Sequence, residues 1–204
     1  MPSTQLTSAL KFVLRWEGGF VDHPDDPGGR TNRGVTQKVY DQWRARQGAG
    51  PQDVKLISED EVQSIYESGY WLAARCELLN DPLDLVQFDT AVNMGVGRAV
   101  RFLQGAANCA VDGDFGSGTA KAVAECDHGE VVIRYCDARE AFYGRLIEKN
   151  PKLAVFRKGW LNRLNALRKE AGLPGFESMR GLEPSAKEPT MKIPDIGEDP
   201  AFDL

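Results

Sequence analysis

The sequence predicts a mainly α fold with minimal β structure. Three observations carry that prediction. Apolar residues recur at helical spacing through most of the first 171 positions. Helix-capping residues stand immediately before several of those runs. Alternating apolar and polar runs of the kind that build strands are scarce, and only residues 20–36 suggest an irregular loop or short hairpin.

Ser3 or Thr4 is placed to cap a first helix running to about Trp16, with Leu6, Leu10 and Val13 on its inner stripe and Ala9 and Leu14 flanking it. Four residues beyond Val13 the stripe lands on Glu17, and Gly18 and Gly19 then end the helix. Partial loss of water and the negative end of the helix dipole are expected to favour the protonated carboxyl of Glu17. A protonated Glu suits a general acid. The plainer alternative is a capped helix end whose Glu reaches the surface.

Residues 20–34 are punctuated by Pro24, Pro27, Gly28, Gly29 and Gly34, and supply Asp22, Asp25 and Asp26. Thr36 opens a second helix through Val39, Tyr40 and Trp43, ending at the Gly48-Ala49-Gly50-Pro51 turn. Ser58 with Glu61 forms a capping box for a third, whose stripe is Val62, Ile65, Tyr66 and Tyr70. Tyr70 and Trp71 have the chemistry to stack on a sugar. An aromatic pair on such a stripe is more often core, and Tyr70 is kept as the candidate saccharide contact.

Asp81 to about Gln104 is apolar on several faces and predicts one long, central helix. Asp89, Asn93 and Gly97 form a polar stripe along it, either bonded to neighbouring helices or lining a cleft. The glycine-rich turn Ala110–Thr119 leads into a helix from Ala120. Further helices run from about Glu130 to Lys149 and from about Ala154 to Ala171.

Composition narrows the function. Residues 174–204 hold seven acids and three bases, so of the overall net charge of −5 they account for −4 and residues 1–173 for −1. A near-neutral body argues against a nucleic-acid surface. No apolar run of membrane-spanning length occurs, so stable membrane insertion is not expected. The N-terminus does not read as a signal peptide, which implies synthesis in a bacterial or host cytoplasm and action at the periplasm or wall. Cys76, Cys109, Cys126 and Cys136 contain no CxxC pair, and His23 and His128 are the only histidines. Zinc is not expected, no cofactor is implied, and buried free thiols are the favoured state.

The run Glu17-Gly18-Gly19-Phe20, Asp25-Asp26-Pro27-Gly28-Gly29 and Thr31-Asn32-Arg33-Gly34-Val35-Thr36 resembles the signature of glycoside hydrolase family 108, lysozyme-like N-acetylmuramidases. The resemblance continues through Phe88–Gly95. From about residue 97 to 171 the chain is similar to the helical peptidoglycan-binding segment that accompanies this family, at Val111–Gly116 and at Gly159-Trp160 with Arg163. The resemblance implies a lysozyme-like helical fold. It implies a glycoside hydrolase region over 1–96, a peptidoglycan-binding-like region over 97–173 and an acidic, proline-containing tail over 174–204.

It further implies hydrolysis of the β-1,4 bond between N-acetylmuramic acid and N-acetylglucosamine, with Glu17 as catalytic acid, Asp26 as second carboxylate and Thr31 orienting water. T-even phage lysozymes place an Asp nine and a Thr fifteen residues after the Glu. Here Asp26 fits the first spacing, while Asn32 occupies the second and Thr31 lies one residue short. Asp22 and Asp25 remain competitors for Asp26. Asp22, Asp89, Asn93 and Tyr70 are the expected substrate contacts. The expected partner is peptidoglycan glycan strands, met by a monomer. The implied roles are a phage endolysin with holin-dependent access, a secreted bacterial effector with an immunity or secretion partner, or a non-catalytic wall-binding protein.

Overall fold

The computed structural model describes residues 3–22 and 29–175. Asp25, Asp26 and the tail beyond Gly175 therefore lie outside the described residues. Among those described are eight α-helices and one two-stranded sheet, the mainly α class that the sequence predicted with one helix more than its spacing marked. They form two compact units, one running to Ala73 and the other beginning at Ala74.

In the first unit α1 spans Thr4–Leu14 and is capped by Ser3, whose hydroxyl accepts the Leu6 N–H at 3.1 Å. Leu6, Ala9, Leu10, Phe12 and Val13 are buried along it. The helix stops two residues short of the expected Trp16. The N–H groups of Arg15 and Trp16 bond to the carbonyls of Phe12 and Val13, three residues back. That tightened final turn takes Glu17 off the α-helical register of Val13.

Strands β1 (Thr31–Asn32) and β2 (Val35–Thr36) pair antiparallel, Asn32 opposite Val35. Their two-residue turn is Arg33-Gly34, with φ of 51° and 75°. Positive φ at both positions matches the twist that two-residue hairpins require. A bridge from Val21 to Thr31 closes the preceding loop, each N–H bonding to the other's carbonyl at 2.8 and 3.0 Å.

Helix α2 covers Gln37–Arg46 with Thr36 as its cap. Helix α3, Glu59–Tyr66, starts with the expected capping box, both reciprocal bonds formed. Glu61 also accepts from Tyr40 Oη and Arg44 at 2.8 Å each, tying α2 to α3.

Beyond α3 the chain widens into a π turn over Glu67–Trp71, in which the Leu72 N–H reaches back five residues to Glu67. The wide turn absorbs one extra residue. The inward slot that α-helical spacing assigns to Tyr70 is consequently taken by Trp71, and Tyr70 stays half-buried.

The second unit is built on α4 (Leu83–Met94), α5 (Val96–Ala106) and α7 (His128–Lys149), which pack on one another. Helices α6 (Ser117–Glu125) and α8 (Arg157–Glu170) complete it, the latter preceded by a 3₁₀ segment over Pro151–Phe156. The single long helix expected from Asp81 to Gln104 is in fact two. Gly95, at φ 86° and ψ 152°, turns the backbone out of helical geometry between them.

The Asp112-Gly113-Asp114 turn is organised by Gln104, itself almost wholly buried. Its amide donates to Asp112 Oδ1 and the Asp114 carbonyl, and its oxygen accepts the Gly113 N–H. Because α4 buries its faces against α5 and α7, compactness divides the chain at Ala73/Ala74. The sequence-based division near residue 96 falls inside the second unit.

All four cysteines are free thiols, Cys76 and Cys136 being buried. Burial raises the Cys136 thiol to about 11.

Candidate active site

Glu17 lies three residues past α1 and is half-buried, while Gly18 and Gly19 beside it are exposed. What confines its side chain is the turn of the hairpin. A Cβ placed on Gly34 would stand 2.9 Å from Glu17 Oε2 and 3.2 Å from its Cγ, and would overlap the Tyr66 hydroxyl. The Gly34 backbone is thus packed directly beneath the Glu17 carboxylate, at a position where a side chain has no room and φ is left-handed.

Tyr66 secures that arrangement from α3. Its hydroxyl donates to the Arg33 carbonyl at 2.9 Å, and only 1% of the residue is exposed. Tyr70 follows across the π turn, its ring centroid 5.5 Å from that of Tyr66 and tilted by 40°. The Tyr70 phenol is held above its ordinary value, first by burial and then by the negative charge of Glu17. Tyr70 is therefore within electrostatic reach of Glu17, and both stand in partly dehydrated surroundings where charge is felt strongly. The sequence reading left Tyr66 in the core stripe and overlooked Gly34. The signal was the four-residue spacing of Tyr66 and Tyr70, together with a bulky-residue–glycine pair at the centre of the signature run.

At the loop stem, Arg30 bridges two acids, Asp22 at 3.2 Å and Asp53 at 2.7 Å. The bond from the Lys55 N–H, with the Arg30 guanidinium, holds the Asp53 carboxyl below the usual carboxylate range. Asp22 is exposed and engaged with this arginine. Thr31 is half-buried in β1, and its hydroxyl donates to the Gly29 carbonyl at 3.1 Å.

The remaining candidates belong to the second unit. Asp89 is fully buried in α4, with Arg139 on Oδ2 and Arg163 on Oδ1, each at 2.8 Å. Asn93 Oδ1 accepts from the Tyr143 hydroxyl at 3.0 Å. Of the two arrangements the polar stripe allowed, these are the bonds between helices. Both Asp89 oxygens are taken by buried guanidinium groups, which leaves them no face toward solvent. Among the described residues no group of His, Cys, Asp and Glu side chains is placed to hold a metal ion.

The family described as Glycosyl hydrolase 108 matches residues 10–95, and the one described as Predicted Peptidoglycan domain matches residues 98–165. Among solved structures, that of Brucella abortus SagA is 32% identical in sequence with a TM-score of 0.68, covering 81% of this chain and 92% of that chain. No curated protein matches the chain significantly. The Glu17–Gly34 contact falls inside the first matched segment and the Gln104-centred turn inside the second. The chain belongs to the glycosyl hydrolase 108 family and is a peptidoglycan hydrolase carrying a peptidoglycan-binding segment.

Proposed function

We propose that the protein is an N-acetylmuramidase cleaving the β-1,4 bond between N-acetylmuramic acid and N-acetylglucosamine, with Glu17 as the acid. The observation that supports this best is the packing of Glu17 over Gly34 beside Tyr66 and Tyr70. It fixes one carboxylate in a partly dehydrated setting with a half-buried aromatic ring within reach. In that reading the Glu17 proton passes to the glycosidic oxygen as the bond to the sugar carbon breaks. Positive charge develops meanwhile on the ring whose anomeric carbon loses that oxygen, while the other sugar leaves as the neutral alcohol.

Asp26 is the second carboxylate in this proposal, stabilising that charge or activating water from the opposite face, with Thr31 orienting the water. Asp22 and Tyr70 act as substrate contacts. An inverting reaction requires the two carboxyls roughly 6.5–9.5 Å apart, and a retaining one about 5–5.5 Å.

Glu17→Gln is expected to lower release of reducing ends from purified walls more than about a hundredfold, as loss of a general acid does, with little change in thermal midpoint. Near-normal release by that variant would remove Glu17 from the role. Mass spectrometry of the fragments identifies the bond, because a peptidase would leave the glycan chains uncut.

The biological role we propose is host lysis by a phage endolysin made in the cytoplasm. It acts on the wall once a separate pore-forming protein has opened the membrane. The family resemblance to endolysins supports that reading. Expression in a bacterial cytoplasm should then lyse cells only when a pore-former is co-expressed. Delivery to neighbouring cells through a secretion machine would instead indicate an effector.

A further inference from the structure

A groove of about 410 Å³ opens between α1 and α3, within the first unit. Its floor is apolar, formed by Leu10, Leu14 and Val62. Three cations line it, Lys11 and Arg15 from α1 and Arg33 from the hairpin turn, against one acid, Glu59. Arg33 and Glu59 approach to 3.5 Å at a water-exposed site, where such a pair is weak. Arg33 also joins the groove to the candidate active site. It immediately precedes Gly34, which packs on Glu17, and its carbonyl holds Tyr66. The groove therefore begins one residue away from the carboxylate expected to cut the glycan.

Arg33 occupies a left-handed conformation that a glycine or asparagine would adopt with less strain. Turn geometry alone does not account for an arginine there.

A glycan strand of peptidoglycan is uncharged along its sugar backbone. The peptide stem hanging from the lactyl group of each N-acetylmuramic acid carries carboxylates and alanine methyls. Its chemistry matches a cationic wall above an apolar floor. We propose that this groove is a subsite for the peptide stem of the muramic acid residue, making peptide-bearing glycan the preferred substrate. Lys11, Arg15 and Arg33 meet the stem carboxylates, and the floor receives its methyl groups. The proposal rests on the muramidase reading and adds a second recognition element to the same site.

The test compares purified peptidoglycan with the same glycan stripped of its stems by an amidase, using reducing-end release to obtain kcat/KM on each. The wild-type protein is expected to favour the peptide-bearing strand by about fivefold or more, the scale of two or three exposed charge pairs. The double variant Lys11→Ala, Arg33→Asn keeps a turn-compatible residue at position 33, and its ratio should fall toward one. A wild-type ratio near one overturns the subsite while leaving the muramidase standing. A preference that persists in the variant places stem recognition elsewhere and overturns the assignment to this groove. No release from either substrate by the wild type would overturn the muramidase reading, and the subsite with it.

Discussion

At the scale of single residues, the most demanding position is Gly34. Alanine there meets Glu17 Oε2 and the Tyr66 hydroxyl and must also hold a φ of 75°. The left-handed backbone alone costs about 1–2 kcal/mol for a residue with a Cβ. Gly34→Ala is therefore expected to destabilise the protein by at least that amount in urea unfolding. It should also lower turnover further than that loss explains, because the atoms that must move are the Tyr66 hydroxyl and the Glu17 carboxylate itself. Turnover matching the wild type at full folding would show that the contact does not position the carboxylate.

Asp84 supplies a pH dependence. It is 3% exposed near the start of α4, and burial raises its carboxyl to about 6. The Leu85 N–H opposes that rise in part, and Asp81 adds to it. The folded protein therefore holds this proton more tightly than the unfolded chain does. Stability from this group falls as pH rises from about 4 to about 6, and the full cost remains above that. Asp84→Asn keeps an oxygen for the Leu85 N–H and should stabilise the protein at pH 7.5 by at most about 3 kcal/mol. At pH 4 the gain should vanish. An equal gain at both pH values would show that the charge is not its source.

At the scale of elements, Asp89 and its two arginines join α4 to α7 and α8. Removing one member leaves buried charge without compensation, which typically costs about 3–5 kcal/mol. Asp89→Asn should lose stability on that scale by chemical denaturation, and a loss below about 1 kcal/mol would deny the network its structural role. The polar stripe was legible in the sequence. Its partners were not, because Arg139 and Arg163 lie 50 and 74 residues further on and nothing local links them to Asp89.

Other elements show the same division. The Ser58–Glu61 cap was readable because its chemistry spans only four residues. The break at Gly95 was hidden because apolar residues continue on both sides of it. The π turn was hidden because its bond to Glu67 shifts the phase without any proline or glycine cluster to announce it. The Glu17 register failed for a related reason. Periodicity extrapolates an α-helix, and the chain had already tightened.

At the scale of the whole molecule, the two matched segments divide the labour expected of a wall-degrading enzyme. In the proposed mechanism catalysis rests on Glu17, whereas the peptidoglycan-binding match begins at residue 98. Glu17→Gln should therefore still sediment with purified walls to the same extent as the wild type while releasing no fragments. Loss of sedimentation together with activity would mean that wall affinity is carried at the cleavage site. The fold class was visible in the sequence, since it is written in local spacing. Gly34, Tyr66 and the α1/α3 groove were not, because they exist only once the hairpin folds against two helices.

The bridge between Val21 and Thr31 has an evolutionary consequence. It clamps both ends of the segment over residues 22–30, so the hairpin behind Thr31 is insulated from changes in that segment's length. A change of sequence between the two bridged residues therefore reaches turnover, in the proposed mechanism, through Asp22 and Asp26, while the glycine seat of Glu17 keeps its own hydrogen bonds.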